Sequence, residues 1–166
     1  MPPQLDLTGR IPPDAADAYP HSFPLDSACE RPRALAIDTA HQRLFAACSN
    51  YRLVAVDAQT GHVVAQLPIG PGPDAIGYDP NRGLIFTANG AGDGSLTVIR
   101  QDVTDTYSVV QTLPTRQNAR TLAINPSTGE VYLASVIYGA ELNNVNGAAI
   151  QIKAVDGSFQ VLVVGN

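Results

Sequence analysis

A threefold internal repeat constrains this chain more than any other feature. Arg33–Asp38 (RALAID), Asp74–Asp79 (DAIGYD) and Arg120–Asn125 (RTLAIN) are short apolar stretches, each closed by Asp or Asn. A polar turn follows each one (Thr39–Gln42, Pro80–Gly83, Pro126–Gly129), and a second apolar stretch follows the turn (Leu44–Ala47, Leu84–Thr87, Val131–Ala134). Asp38, Asp79 and Asn125 are spaced by 41 and then 46 positions, and Phe45, Phe86 and Tyr132 keep the same spacing. Two anchors in step report a repeated supersecondary unit.

Two more strand-like runs complete each unit. Leu53–Val56 and Val63–Leu67 flank the turn Asp57–Gly61, and Leu96–Ile99 and Tyr107–Leu113 flank a longer loop at 100–106. In the third unit a polar insert at 136–147 precedes Ala148–Val155 and Phe159–Val164. No stretch sustains the 3.6-residue period of a helix. Four short strands in about 40–45 residues is the pattern of a β-propeller blade, which buries its faces only against neighbouring blades. The expectation is an all-β chain of about three four-stranded antiparallel blades, spanning 32–70, 71–115 and 116–166, plus a partial one. Residues 1–31 hold six of the 13 prolines. They read as an irregular arm or the remnant of a preceding blade, with His21–Leu25 as its outer strand. Propellers close with about four to eight blades. The count therefore predicts a partial propeller, or an arc completed to a ring by oligomerisation.

Composition excludes several function classes. The formal net charge is −5 and only 15% of residues are charged. Lys153 is the single lysine, so the chain carries no basic stripe for duplex nucleic acid. Aromatic residues make up 6%, without Trp. Phe45, Phe86 and Tyr132 occupy equivalent repeat positions and read as core, which leaves no stacking platform for single strands. No apolar run is long enough to span a membrane. Met1–Pro13 lacks the basic start and apolar centre of a secretory signal. Cys29 and Cys48 have neither CxxC nor zinc spacing. They read equally as one disulfide of an exported protein or as two buried thiols.

Blade topology locates the candidate site. The loops before the innermost strand and between the second and third strands share one face, around the mouth of the central channel. Arg33, Asp74 and Arg120 open the three innermost strands. Their neighbours on that face are Asn50, Tyr51, Asn89, Asp93 and the insert with Tyr138, Glu141, Asn143 and Asn144. Two guanidinium groups with one carboxylate to orient them would grip an anionic group. The plainer alternative is a set of solvated charges that pair among themselves. The ligand-binding candidates are Arg33, Asp74, Arg120, Asn89, Asp93, Tyr138 and Glu141. The Gly-rich loop Asn89–Ser95 lacks the Lys and the following helix of a phosphate loop and reads as a hairpin connection. Cys48 and His41 lie toward opposite ends of one hairpin, so no nucleophile meets a base. Asp74, Asp93 and Glu141 form no compact calcium loop. No catalytic residue, metal or cofactor is expected.

Two segments carry a family resemblance. Ile85-Phe86-Thr87-Ala88-Asn89-Gly90 is similar to the tyrosine-valine-threonine-asparagine stretch of YVTN-type (YncE-like) propeller repeats. Val56-Asp57-Ala58-Gln59-Thr60-Gly61 resembles that family's Asp-x-x-Thr-Gly turn, and Val63–Gly70 continues the likeness. The resemblance covers roughly residues 28–166. Cys48 and Ser135 stand where the motif has Asn, so one unit carries the full signature. The resemblance implies a periplasmic or extracellular propeller without a catalytic site defined by the repeat. Such a module of the cell envelope would present its channel-mouth face to a protein, polysaccharide or small ligand. The same resemblance admits an enzyme of the propeller lactonase or dehydrogenase-subunit type. That enzyme would use carboxylate-bound metal at the channel, or a cofactor borne by a partner.

Overall fold

The computed structural model describes residues 22–141 and 151–165; for Ala140, Glu141, Gln151 and Ile152 it describes the backbone alone. The first sheet is a meander of β1 (Pro32–Asp38), β2 (Arg43–Cys48), β3 (Arg52–Asp57) and β4 (Val63–Pro68) in that spatial order. The second repeats it with β5 (Pro73–Asp79), β6 (Leu84–Asn89), β7 (Ser95–Val103) and β8 (Thr106–Pro114). The third contains β9 (Thr121–Ile124), β10 (Val131–Ser135) and β13 (Gln160–Val164) in the order β13-β10-β9. All pairings are antiparallel. These unclosed sheets form an arc of propeller blades.

The repeat's closing Asp or Asn makes the first turn of each blade. Asp38 Oδ1 accepts the backbone N–H of Ala40 (3.0 Å) and His41 (3.2 Å). Asp79 Oδ1 accepts that of Asn81 (2.9 Å), and Asn125 Oδ1 those of Ser127 (3.0 Å) and Thr128 (3.3 Å). Such side chains replace a backbone turn partner. The turn then needs a left-handed residue, supplied by Gln42 (φ 54°), Gly83 (φ 62°) and Gly129 (φ 75°).

Three sequence expectations are corrected. The loop expected at 100–106 is strand: β7 and β8 run on to a tight turn at Thr104-Asp105, where Asp105 is left-handed (φ 68°). Arg100–Thr106 is polar on both faces, so it shows no apolar alternation, yet its backbone pairs fully at the outer rim. The expected insert at 136–147 begins a second hairpin, β11 (Tyr138–Glu141) with β12 (Gln151–Ala154). Lys153 and its neighbours therefore leave the blade, and β13 takes the third-strand place beside β10. The described part of the third sheet thus has three strands. Residues 22–25 form no strand and lead into a 3-10 turn at Asp26–Ala28; His21 lies outside the described residues.

Packing occurs between blades. Phe45, Leu53 and Ala55 of the first blade meet Ile85 and Ile99 of the second, with Ile76, Tyr78 and Tyr107 around them. Phe86, Leu96 and Val98 of the second meet Val131 and Leu133 of the third, with Leu122, Ile124, Leu162 and Val164. On the outer face of the first blade, Leu25, Ala28 and Cys29 cover Ala46, Cys48, Val54 and Val56. Cys29 is disulfide-bonded to Cys48, with Cα atoms 5.2 Å apart. The N-terminal segment thus serves as a cap where a preceding blade would pack.

Candidate functional site

The three charged candidates come together because the backbone treats the start of each inner strand alike. A left-handed residue precedes each one at the same repeat position: Arg31 (φ 46°), Gly72 (φ 63°) and Asn118 (φ 62°). In the first two blades a proline follows and the pairing then slips by one residue. Pro32 opposes Cys48 and Ala34 opposes Ala47, while Pro73 opposes Asn89 and Ala75 opposes Ala88. Arg33 and Asp74 are the extra residues of these bulges, a device that re-aims a side chain. Contacts of β1 with β5, and of β5 with β9, set the three positions side by side.

Asp74 binds both arginines. Its Oδ1 accepts a hydrogen bond from Arg33 Nη2 at 2.7 Å, and its Oδ2 lies 3.2 Å from Arg120 Nη1. The Asp74 side chain is 15% exposed, while those of Arg33 and Arg120 are 50% and 51% exposed. One carboxylate therefore holds two guanidinium groups, and the cluster keeps one net positive charge with N–H donors facing solvent. Gly90 gives Arg120 its path, because a Cβ there would stand 2.6 Å from Arg120 Cγ. Exposed ion pairs contribute roughly 0–1 kcal/mol to stability, so this cluster does little to hold the fold.

The other candidates separate. Asn89 is fully buried, and its Nδ2 donates to Ser95 Oγ (3.2 Å) and Thr97 Oγ1 (3.0 Å). It ties β6 to β7 and does not face a ligand, which corrects its place among the candidates. Its repeat equivalents Cys48 and Ser135 are buried too; the position ends the second strand, where the neighbouring blade covers it. Asp93 is exposed on the β6–β7 loop. It lines an open cleft of about 380 Å³ with Thr115, Arg116, Gln117, Asn118, Val136 and Ile137. Two backbone bonds fix the cleft floor, Thr115 N–H to Gly94 O (3.1 Å) and Asn118 N–H to Gly90 O (3.0 Å). Tyr138 is 50% exposed on β11 and does not line this cleft. Glu141 ends β11, its side chain outside the described set, as are Asn143 and Asn144. Asn50 Nδ2 donates to Ala28 O at 3.3 Å and so anchors the cap. Tyr51 is exposed in a left-handed turn (φ 61°).

Sequence reasoning missed Arg116, Gln117 and Asn118. The signal was present, since Asn118 stands one repeat from Gly72 and two from Arg31. Below the opposite face, Asp38 is buried and its Oδ2 lies 2.6 Å from His41 Nδ1. Burial opposes its charge, and the His41 ring and N–H outweigh that, holding its carboxyl below the ordinary value. His41 is thus occupied at its own turn. Among the described residues, no three His, Cys, Asp or Glu side chains gather to hold a metal, and no helix could cross a membrane.

The fold defines the chain as an arc of β-propeller blades, and solved structures agree. Hydrazine synthase of Kuenenia stuttgartiensis is similar at TM-score 0.56 and 14% identity, over 79% of this chain and 37% of that one. Sqt1 of Saccharomyces cerevisiae is similar at TM-score 0.58 and 11% identity, over 76% and 35%. A 6-phosphogluconolactonase candidate of Bacteroides fragilis is similar at TM-score 0.55 and 15% identity, over 80% and 42%. The chain thus spans less than half the length of each of these. At such identities the likeness speaks to fold. No protein-family pattern matches the chain, and no curated protein sequence matches it.

Proposed function

We propose that this chain is a non-catalytic binding module of YVTN type, and that its channel-mouth face grips an anionic group through Arg33, Asp74 and Arg120. The bridging of two half-exposed guanidinium groups by one largely buried carboxylate carries this reading. The carboxylate fixes both forks, and the surplus charge is free to meet a phosphate or carboxylate bidentately. An acidic polysaccharide, a small phosphorylated ligand or an acidic protein segment fits that chemistry. The Cys29–Cys48 bond supports an oxidising compartment, the periplasm or the exterior. Titration calorimetry with inorganic phosphate and with an oligouronate tests the site. Binding that falls at least tenfold in R33A/R120A is expected. Equal binding by wild type and this double variant would remove the assignment.

A hydrolytic reading has one supporting observation, the similarity to the Bacteroides fragilis lactonase candidate. The same arginines would then hold the anionic end of a sugar-phosphate lactone. Base consumption at constant pH with 6-phosphogluconolactone decides it: turnover lost in R33A/R120A would favour the enzyme, and a rate equal to the buffer blank would leave the binding module.

A further inference from the structure

The two ends of the arc carry the two halves of an interface that the chain already builds twice within itself. Leu35 of the first blade corresponds to Ile76 and Leu122 of the others, and Ile37 to Tyr78 and Ile124. Ile76 and Tyr78 pack against the first blade, and Leu122 and Ile124 against the second. Leu35 and Ile37 are 64% and 50% exposed. The other face behaves likewise. The strand registers make Val161 equivalent to Leu53 and Leu96, and Val163 equivalent to Ala55 and Val98. Those four are buried against the next blade, while Val161 and Val163 are 59% and 57% exposed. Phe159 beside them is 70% exposed. Single exposed apolar residues need no explanation, but a repeat position buried in every internal copy and bare at the end does.

We propose that the open face of the third blade docks on the open face of the first blade of a second copy, and that two copies close a six-bladed ring. The contact continues the internal interface: the Tyr132, Val161 and Val163 face meets the Leu35 and Ile37 face, as the Phe45 face meets Ile76 and Tyr78 inside the chain. The disulfide-held segment Leu25–Cys29 covers the outer half of the first blade's face, so the contact centres on the inner strands and on the cap itself. Six blades lie within the usual range for closure. A head-to-tail contact that closes gives a finite assembly rather than a fibre. Closure also completes the channel mouth, which then carries two Arg33–Asp74–Arg120 sets. At each junction Arg120 of one copy adjoins Arg33 of the other with no carboxylate between them, a like-charged pair that a bound anion relieves. The interface does not depend on the ligand reading, since it rests on apolar faces alone.

The experiment is native mass by light scattering on the full chain at tens of micromolar, with L35K/I37K and V161K/V163K alone and mixed. Wild type is expected at twice the 17.5 kDa chain mass. Each variant alone is expected at the single-chain mass. The one-to-one mixture is expected to restore the two-chain species through its one intact junction, which also shows that both variants fold. A single-chain wild type, an open-ended series of masses, self-pairing by either variant, or a mixture that stays apart would each overturn the proposal. Calorimetry with inorganic phosphate on the separate variants keeps the two readings distinct: phosphate bound by chains that do not pair leaves the anion site standing and ends this one.

Discussion

The seam between the first and second blades and the seam between the second and third use the same backbone and different chemistry. At the first, the Phe45 ring lies 5.4 Å from Tyr78 and 5.8 Å, edge-on, from Tyr107. Arg43 crosses that seam, with Nη1 2.8 Å from Asp57 Oδ2 and Nε 2.6 Å from Asp105 Oδ1. At the second, Phe86 meets aliphatic side chains, and Arg82 lies over its ring at 5.7 Å while donating to Gly129 O. Repeat geometry fixes where a side chain packs and leaves open what it is. The first seam answers to ionisation, and the second answers mainly to volume.

The largest expected effect is on the aromatic seam. Phe45→Ala should cost about 3–5 kcal/mol in a urea titration, and equal stability of F45A and wild type would show that the tyrosines collapse into the gap. Next is the cap. Removing the Cys29–Cys48 bond closes no 19-residue loop and should cost about 3 kcal/mol. Hydrogen exchange should then rise in β1 to β3 and stay unchanged in β9 and β10. A uniform rise would mean that the two ends of the arc unfold as one.

The pH dependence separates the seams further. Burial, reinforced by Asp38, pushes Tyr78 up to about 12. Burial, reinforced by Asp105, does the same for Tyr107. An unfolded tyrosine ionises near 10. The unfolded state therefore loses its proton first, and stability falls as pH rises from about 10 to 12. Asp38 and Asp105 lie below their ordinary values, so their contribution is present above about pH 4 and fades as acid protonates them. Exchange protection should be lost at the first seam before the second at both extremes. The smallest effect sharpens the same point. The Tyr107 hydroxyl is buried without a partner, so Tyr107→Phe should raise stability by about 1 kcal/mol and flatten the alkaline limb.

Much of this architecture was legible in the sequence, for physical reasons that differ by residue. Asp38, Asp79 and Asn125 mark turns because their side chains replace a backbone acceptor. Arg33, Asp74 and Arg120 could be grouped because blade topology places strand starts on one face. Asn89 was misread because the same topology does not say whether a strand's last side chain points to solvent or to the next blade. The β11–β12 hairpin was hidden because Ala148–Val155 has the composition of a blade strand, and partner choice depends on long-range register. The cleft with Arg116 and Gln117 arises where two loops approach, which no local pattern reports.

The hairpin between β10 and β13 has a consequence for engineering. Ser135 and Gln160 oppose each other across the ladder, so the ends of segment 136–159 already meet at the distance of neighbouring strands. The blade closes without help from what lies between them. That makes the segment an exchangeable cassette: a foreign loop with ends one strand spacing apart could be grafted there and carried on a rigid mount beside the channel mouth.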